Sequence, residues 1–144
     1  MRIHIYLAVT ALAFFAFLGS AFAGSAMHVK IAKEHCDAMI TAGEDALDHG
    51  QKGHPGKALD HLKMMIKEAE ECVNHGQEGI NASDATKATR THGGEAMEFV
   101  KEAIDHARTA VKHGEAGRDG IMMDHAQDAL MHALEGNKHA REMG

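Results

Sequence analysis

The sequence predicts an all-α protein, an antiparallel up-down-up-down four-helix bundle made of two duplicated helical hairpins. Three observations carry this. Apolar residues recur in a seven-residue phase, with no strand-like alternation. Glycine clusters at 50–56, 76–79, 93–94 and 114–120 punctuate a chain that otherwise holds helix formers and a single proline, Pro55. The chain also repeats with an offset of 64, which places His28, His49, His61 and His75 onto His92, His113, His125 and His139, and Gly50 and Gly53 onto Gly114 and Gly117. Each half is one helical hairpin that cannot bury its apolar stripe alone, and two together make a bundle.

The elements follow from these marks. Helices are expected over about 27–49, 56–75, 95–113 and 120–142, so that the hairpins span about 27–76 and 92–143. Pro55 suits a first helical position, Asp119 could cap the fourth helix, and Gly50, Gly76 and Gly114 stand where left-handed C-terminal caps are expected. Residues 80–91 read as a polar connection. Within the helices the unit is His-Ala-x-x-Ala-Leu-x, as in HCDAMIT from His35 and HAQDALM from His125. If the residue after His is position a, then a holds Val29, Cys36, Leu62, Ala69, Val100, Ala107, Ala126 and Ala133. Position d holds Ala32, Met39, Ala46, Met65, Cys72, Ala103, Ala110 and Ala129, and position e carries Ile40, Leu47, Ile66, Val73, Ile104, Val111 and Leu130. Histidine then falls at g, the rim of the buried stripe.

Residues 1–23 stand apart. Arg2 precedes an apolar run from Ile5 to Leu18, and Ala21-Phe22-Ala23 fits a cleavage site. The segment reads as a secretory signal peptide removed before Gly24, leaving 24–144 as the domain. An uncleaved anchor is the rival, but the run is short for a span. No second apolar stretch follows, so no stable membrane association is expected after cleavage. The mature chain would keep 14 basic and 21 acidic residues and one aromatic, Phe99. An acidic chain without stacking aromatics is not a nucleic-acid binder. With no Cys-x-x-Cys-His, it carries no covalent c-type haem.

The chain has 13 His, and twelve lie beyond the leader: His28, His35 and His49 in the first helical segment, His54, His61 and His75 in the second, His92, His106 and His113 in the third, and His125, His132 and His139 in the fourth. Every spacing within a segment is 7 or 14. Duplication alone could copy this phase, yet packing at g does not demand imidazole, and Glu or Lys is usual there. Seven residues rise about 10.5 Å, so two successive His on one helix cannot share an ion bound at about 2 Å. The further ligands must come from one turn away or from another helix. Asp128 and Glu135 alternate with His125, His132 and His139 on one face, and Glu102, Glu71 and Asp45 stand one turn from His106, His75 and His49. Folding back around Pro55 sets His49 opposite His61 and His35 opposite His75. The second hairpin does the same for His113 with His125 and His106 with His132. Imidazole with carboxylate suits Cu(II) first, then Ni(II), Zn(II) and Co(II).

Cys36 and Cys72 lie nearly opposite in the first hairpin at core positions. In an oxidising compartment their placement predicts a disulfide; the rivals are two buried thiols or a thiolate pair for Cu(I). The methionines read as core filling.

The segments AVKHGEAG (110–117), DHLKMMIKEAEECVNHGQEG (60–79) and DHAQDALMHAL (124–134), with the His-Gly-x-x-Gly turns at 49–53, 75–79 and 113–117, resemble the small metal-binding protein family of bacterial periplasms. The resemblance implies a His-rich four-helix bundle that binds several divalent metals reversibly, copper foremost, through the g-position His. Four slots of that phase hold Ala42, Glu68, Phe99 and Arg118 instead, and the Cys pair departs from the family pattern. The expected function is therefore periplasmic buffering or sequestration of metal ions by a monomer. No nucleophile–base set points to an enzyme. The alternative is an envelope structural or chaperone-like helical protein with incidental His.

Overall fold

The computed structural model describes residues 24–143, and the leader assigned to residues 1–23 lies outside the described residues. Four helices follow one another: α1 (Ser25–Gln51), α2 (Pro55–Asn81), α3 (Lys87–Glu115) and α4 (Asp119–Arg141). Each packs on its chain neighbours, and α4 closes the ring against α1, with the tightest packing inside each hairpin. The α1–α2 and α3–α4 seams therefore lie on opposite sides of the bundle. No described helix is long and apolar enough to cross a membrane.

Every residue placed at a and d is buried. Those at e are half-buried flanks, except Ile104, which is buried. Most core positions are alanine, and bulk comes from Met39, Leu62, Met65, Met122 and Val100. Small side chains on facing helices let the axes approach closely at full packing density. At the level of Cys36 and Cys72 the two hairpins solve one problem differently. A disulfide joins Cys36 and Cys72, with their Cα atoms 5.3 Å apart. The equivalent pair in the second hairpin is Val100 and Gly136, where a Cβ on the glycine would stand 2.9 Å from Val100 Cγ2.

The hairpin turns are not where the glycine clusters first place them. Gly50 and Gly114 lie inside α1 and α3; a Cβ on Gly50 would overlap Met123 Sδ, and one on Gly114 would overlap Met122 Sδ. Among the described residues, the left-handed ones are Gly53, φ 74°, and Gly117, φ 69°. The Gly53 amide donates to the Gly50 carbonyl at 3.0 Å and the His54 amide to the His49 carbonyl at 2.9 Å. Gly117 and Arg118 repeat the pair with Gly114 and His113 at 2.9 Å each. This is the Schellman closure, which needs φ > 0 at the first residue past the cap. Arg118, not Asp119, holds the N-cap of α4, and Asp119 is its first helical residue. Pro55 opens α2 as expected.

The 80–91 connection also shrinks. α2 runs through Gly76 and Gly79, and α3 begins at Lys87, because these glycines are buried packing residues and not breakers. Gly93, likewise inside α3, would place a Cβ 2.5 Å from Ile80 Cγ2. Thr86 caps α3, its Oγ1 accepting the Thr89 amide at 3.0 Å. The open ends are fastened alike: Ser25 Oγ donates to the Gly79 carbonyl at 2.8 Å, and Thr89 Oγ1 donates to the Met143 carbonyl at 2.9 Å.

The turn assignment predicts opposite signs for two neighbouring substitutions. Gly53→Ala should lower stability by about 1–2 kcal/mol, the cost of an L-residue in the left-handed region. Gly56→Ala, on an ordinary helical backbone with open space around it, should raise stability by about 0.4–1 kcal/mol. Urea denaturation measures both, and equal effects would contradict the turn.

Candidate metal centres

The centre of each turn sets how the histidines meet. With the chain reversing at Gly53 and Gly117, two residues before Pro55 and Asp119, the histidine columns of the two helices of a hairpin do not stand face to face. They interleave. Successive His on one helix are about 10.5 Å apart, and each His of the partner falls midway between two of them. The expected pairs all touch: ring centroids lie 5.1 Å apart for His49–His61, 5.7 Å for His35–His75, 5.6 Å for His113–His125 and 5.2 Å for His106–His132. Each column also makes the contacts that facing pairs would lack, 5.9 Å for His28–His75 and 5.7 Å for His106–His125.

The second hairpin carries an unbroken column of seven rings in the order His92, His139, Phe99, His132, His106, His125 and His113, with centroid separations from 5.2 to 6.4 Å. Phe99, in a slot of the histidine phase, keeps the stack aromatic without offering a ligand. The first hairpin is divided. His28, His75 and His35 form one stack, and His35 Nδ1 donates to Glu68 Oε2 at 2.7 Å. After Ala42 the stack resumes with His61, His49 and His54. Eleven of these twelve His are half-buried, and His54 is exposed.

The acids cross the seam. Asp45 lies 3.7 Å from His61, Asp128 3.7 Å from His106 and Glu102 3.0 Å from His132. Asp45 and Glu102 thus meet the opposite helix, whereas sequence spacing ties them to His49 and His106. Two acids missed by sequence reasoning are central. Glu78 Oε2 lies 2.8 Å from His28 Nδ1 and 3.0 Å from His75 Nδ1. Glu95 Oε2 lies 3.2 Å from both His92 Nδ1 and His139 Nδ1. Both stand three residues past a histidine, the spacing that singled out Asp128. Glu142 adds a contact of 3.3 Å to His92.

Among the described residues, three groups result in which two imidazoles and a carboxylate hold their ligand atoms within 4.8 Å of one another: His28, His75 and Glu78; His92, His139 and Glu95; and His106, His125 and Asp128. Glu135 stands outside them. It pairs with Lys138 at 2.9 Å, whose hydrogen bond depresses its carboxyl pKa, and lies 3.7 Å from His139 Nε2. His35, His49, His54, His61, His113 and His132 join no such trio.

The spacing has a chemical meaning. A ring nitrogen bound at about 2 Å puts the imidazole centroid about 3.2 Å from an ion, so two rings at a tetrahedral angle have centroids about 5 Å apart. The interleaved columns already hold their rings near that separation. Ring rotation, without backbone motion, would bring two nitrogens onto one ion.

His113 has its pKa lowered, first by burial and then by the positive charges of Arg118 and His125. Its neutral form is favoured in the fold. As pH falls through the ordinary imidazole value the unfolded chain takes up a proton that the fold resists, so His113 subtracts stability on the acid side. Side-chain NMR titration should place its midpoint below the ordinary imidazole value. Arg118→Gln should move it upward, and an unchanged midpoint would remove Arg118 as a cause.

No curated protein and no solved structure matches the chain. Over residues 93–143 it matches the sequence model of the small metal-binding protein family, the family its heptads resemble, and that stretch takes in the whole His106–His125–Asp128 trio together with Glu95 and His139.

Proposed function

We propose that the protein binds several divalent metal ions reversibly, one at each His–His–carboxylate trio, and serves as a metal buffer in the periplasm. The observation that carries this reading is the threefold recurrence of two imidazoles and a carboxylate with ligand atoms already within 4.8 Å. The match to the small metal-binding protein family over residues 93–143 supports it. A metal ion takes the deprotonated ring nitrogen and the ionised carboxylate, so binding competes with protons and weakens as pH falls.

Two nitrogens and an oxygen from the protein leave further positions to water. Such shallow, partly hydrated sites suit exchange and buffering better than permanent retention. For nitrogen and oxygen ligands affinity rises toward copper and falls again at zinc, which makes Cu(II) the leading ion, with Ni(II), Zn(II) and Co(II) weaker. The export reading rests on the leader at 1–23. None of the trios presents a nucleophile with a base and an orienting group, and the reading is of a binding protein without an enzymatic step.

The test is an ion count. Titration of the folded protein starting at Gly24 with Cu(II), Ni(II) and Zn(II) should show at least three ions per chain, tightest for copper. His75→Gln, His139→Gln and His125→Gln should each remove about one ion with the helix content unchanged. Binding no greater than that of an alanine-rich control helix, or variants that bind as the parent does, would overturn the reading.

A further inference from the structure

The outer face of α4 differs from that of the other helices. At heptad positions b and f, away from the core, α4 carries Asp124, Gln127, Met131, Leu134, Lys138 and Arg141, alternating at spacings of 3 and 4. Met131 and Leu134 lie at the middle of this stripe and are 60% and 49% exposed. The offset of 64 maps them onto Lys67 and Glu70 of α2, whose stripe from Asp60 to Gln77 holds no apolar residue. The seams between hairpins show what the patch replaces. Across α2 and α3, Glu70 pairs with Arg108 at 2.8 Å and Lys63 with Glu115 at 3.0 Å. Across α1 and α4, Asp37 pairs with Arg141 at 3.1 Å in the same register. That register sets Leu134 opposite Glu44, where the other half of the molecule has its Glu70–Arg108 pair. Half-buried Leu47, Met123 and Leu130, in the groove between α1 and α4, adjoin the patch and widen it. Contiguous exposed apolar surface of this kind marks a contact site.

We propose that this stripe is the contact between two copies of the chain, with α4 of one packed antiparallel on α4 of the other about a two-fold axis, in place of the monomer that the sequence leads one to expect. The order of charges selects the occupant. Along α4 the stripe runs acid, amide, apolar, apolar, base, base. Antiparallel packing of f on b sets Met131 against Leu134 of the second copy, Gln127 against Lys138 and Asp124 against Arg141. The two-fold repeats each contact with the roles exchanged. Four apolar side chains then meet at the centre, and both ends close acid on base. A parallel pair would instead set Asp124 on Asp124 and Lys138 on Lys138. A uniformly basic helix would meet Lys138 and Arg141, and a uniformly acidic one would meet Asp124.

The present partners of these charges do not stand in the way. Arg141 holds Asp37 through one terminal nitrogen, and a guanidinium has five N–H donors with which to take a second carboxylate. Lys138 pairs with Glu135 on the same exposed helix face, a pair of the kind that exchanges cheaply. Exposed ion pairs add little affinity, so the apolar centre supplies the attraction and the charges fix direction and register. The contact is one helix wide on each copy, which makes a small interface and a rapidly exchanging dimer. It uses no histidine, so it stands or falls separately from metal binding.

Analytical ultracentrifugation tests this on the protein starting at Gly24, kept metal-free with a chelator so that no ion bridges two copies. The average mass should rise from monomer toward dimer as the concentration approaches about 1 mM. Leu134→Arg, at an exposed position opposite Glu44, should leave helix content and melting unchanged and weaken the dimer at least about tenfold. Charge reversal tests the direction of packing. Asp124→Arg alone and Arg141→Glu alone should each weaken self-association, and an equimolar mixture of the two should restore dimers containing one copy of each. A chain that stays monomeric over this range, which would leave the patch to a different protein or a membrane surface, would overturn the proposal. So would a dimer indifferent to Leu134→Arg, or a mixture of folded charge variants that associates no better than either alone.

Discussion

Seven residues of α-helix rise about 10.5 Å, and two antiparallel columns set half a heptad out of step leave about 5 Å between successive rings. The meeting of two imidazoles and a carboxylate in each trio depends on that interleaving. It is fixed by where the chain reverses, and the chain reverses at the two glycines that adopt a left-handed backbone, Gly53 and Gly117. If the reversal moved by two residues, the rings would stand level with one another and leave gaps of about 10 Å along each seam. The hydrogen bonds at the turns, the close seat of Gly114 against Met122 in the second hairpin, and the fastened open ends all hold the same register.

The core serves this arrangement through its smallness. Alanine at most inward positions draws the helices of a hairpin together, so side chains at the rim reach one another across the seam. At the level of Cys36 and Cys72, one hairpin has a disulfide and the other has Val100 against Gly136. The two seams are thus related by duplication but unequal in chemistry. The second keeps a continuous ring column with Phe99 inside it, and the first is divided at Ala42 and Glu68. Glu68 does not waste its slot, since its carboxylate holds His35 in place of a stacked ring.

Much of this is legible in the sequence because it is periodic. The heptad phase assigns a and d positions that are all buried, and it puts His at a rim that is half-buried in eleven cases of twelve. The His pairs across each hairpin follow from antiparallel geometry. Glycine is harder to read, since one residue type serves both turns and tight packing. Gly50, Gly76 and Gly114 look like caps in a sequence and are packing residues in the fold, which moves the pivot by two residues and lengthens α2 and α3. One-turn spacing is visible locally and ties an acid to its own helix, whereas Asp45 and Glu102 reach across the seam. Glu78 and Glu95 stand three residues past His75 and His92, a spacing visible in the sequence, and the true pivot adds their cross-seam partners His28 and His139.

The most direct test of the trios is the ligand set around bound metal. X-ray absorption on the protein loaded with three equivalents of Cu(II) should show nitrogen and oxygen donors only, with outer-shell scattering from two imidazoles per ion. A sulfur scatterer from methionine or cysteine, or a single imidazole per ion, would contradict the account.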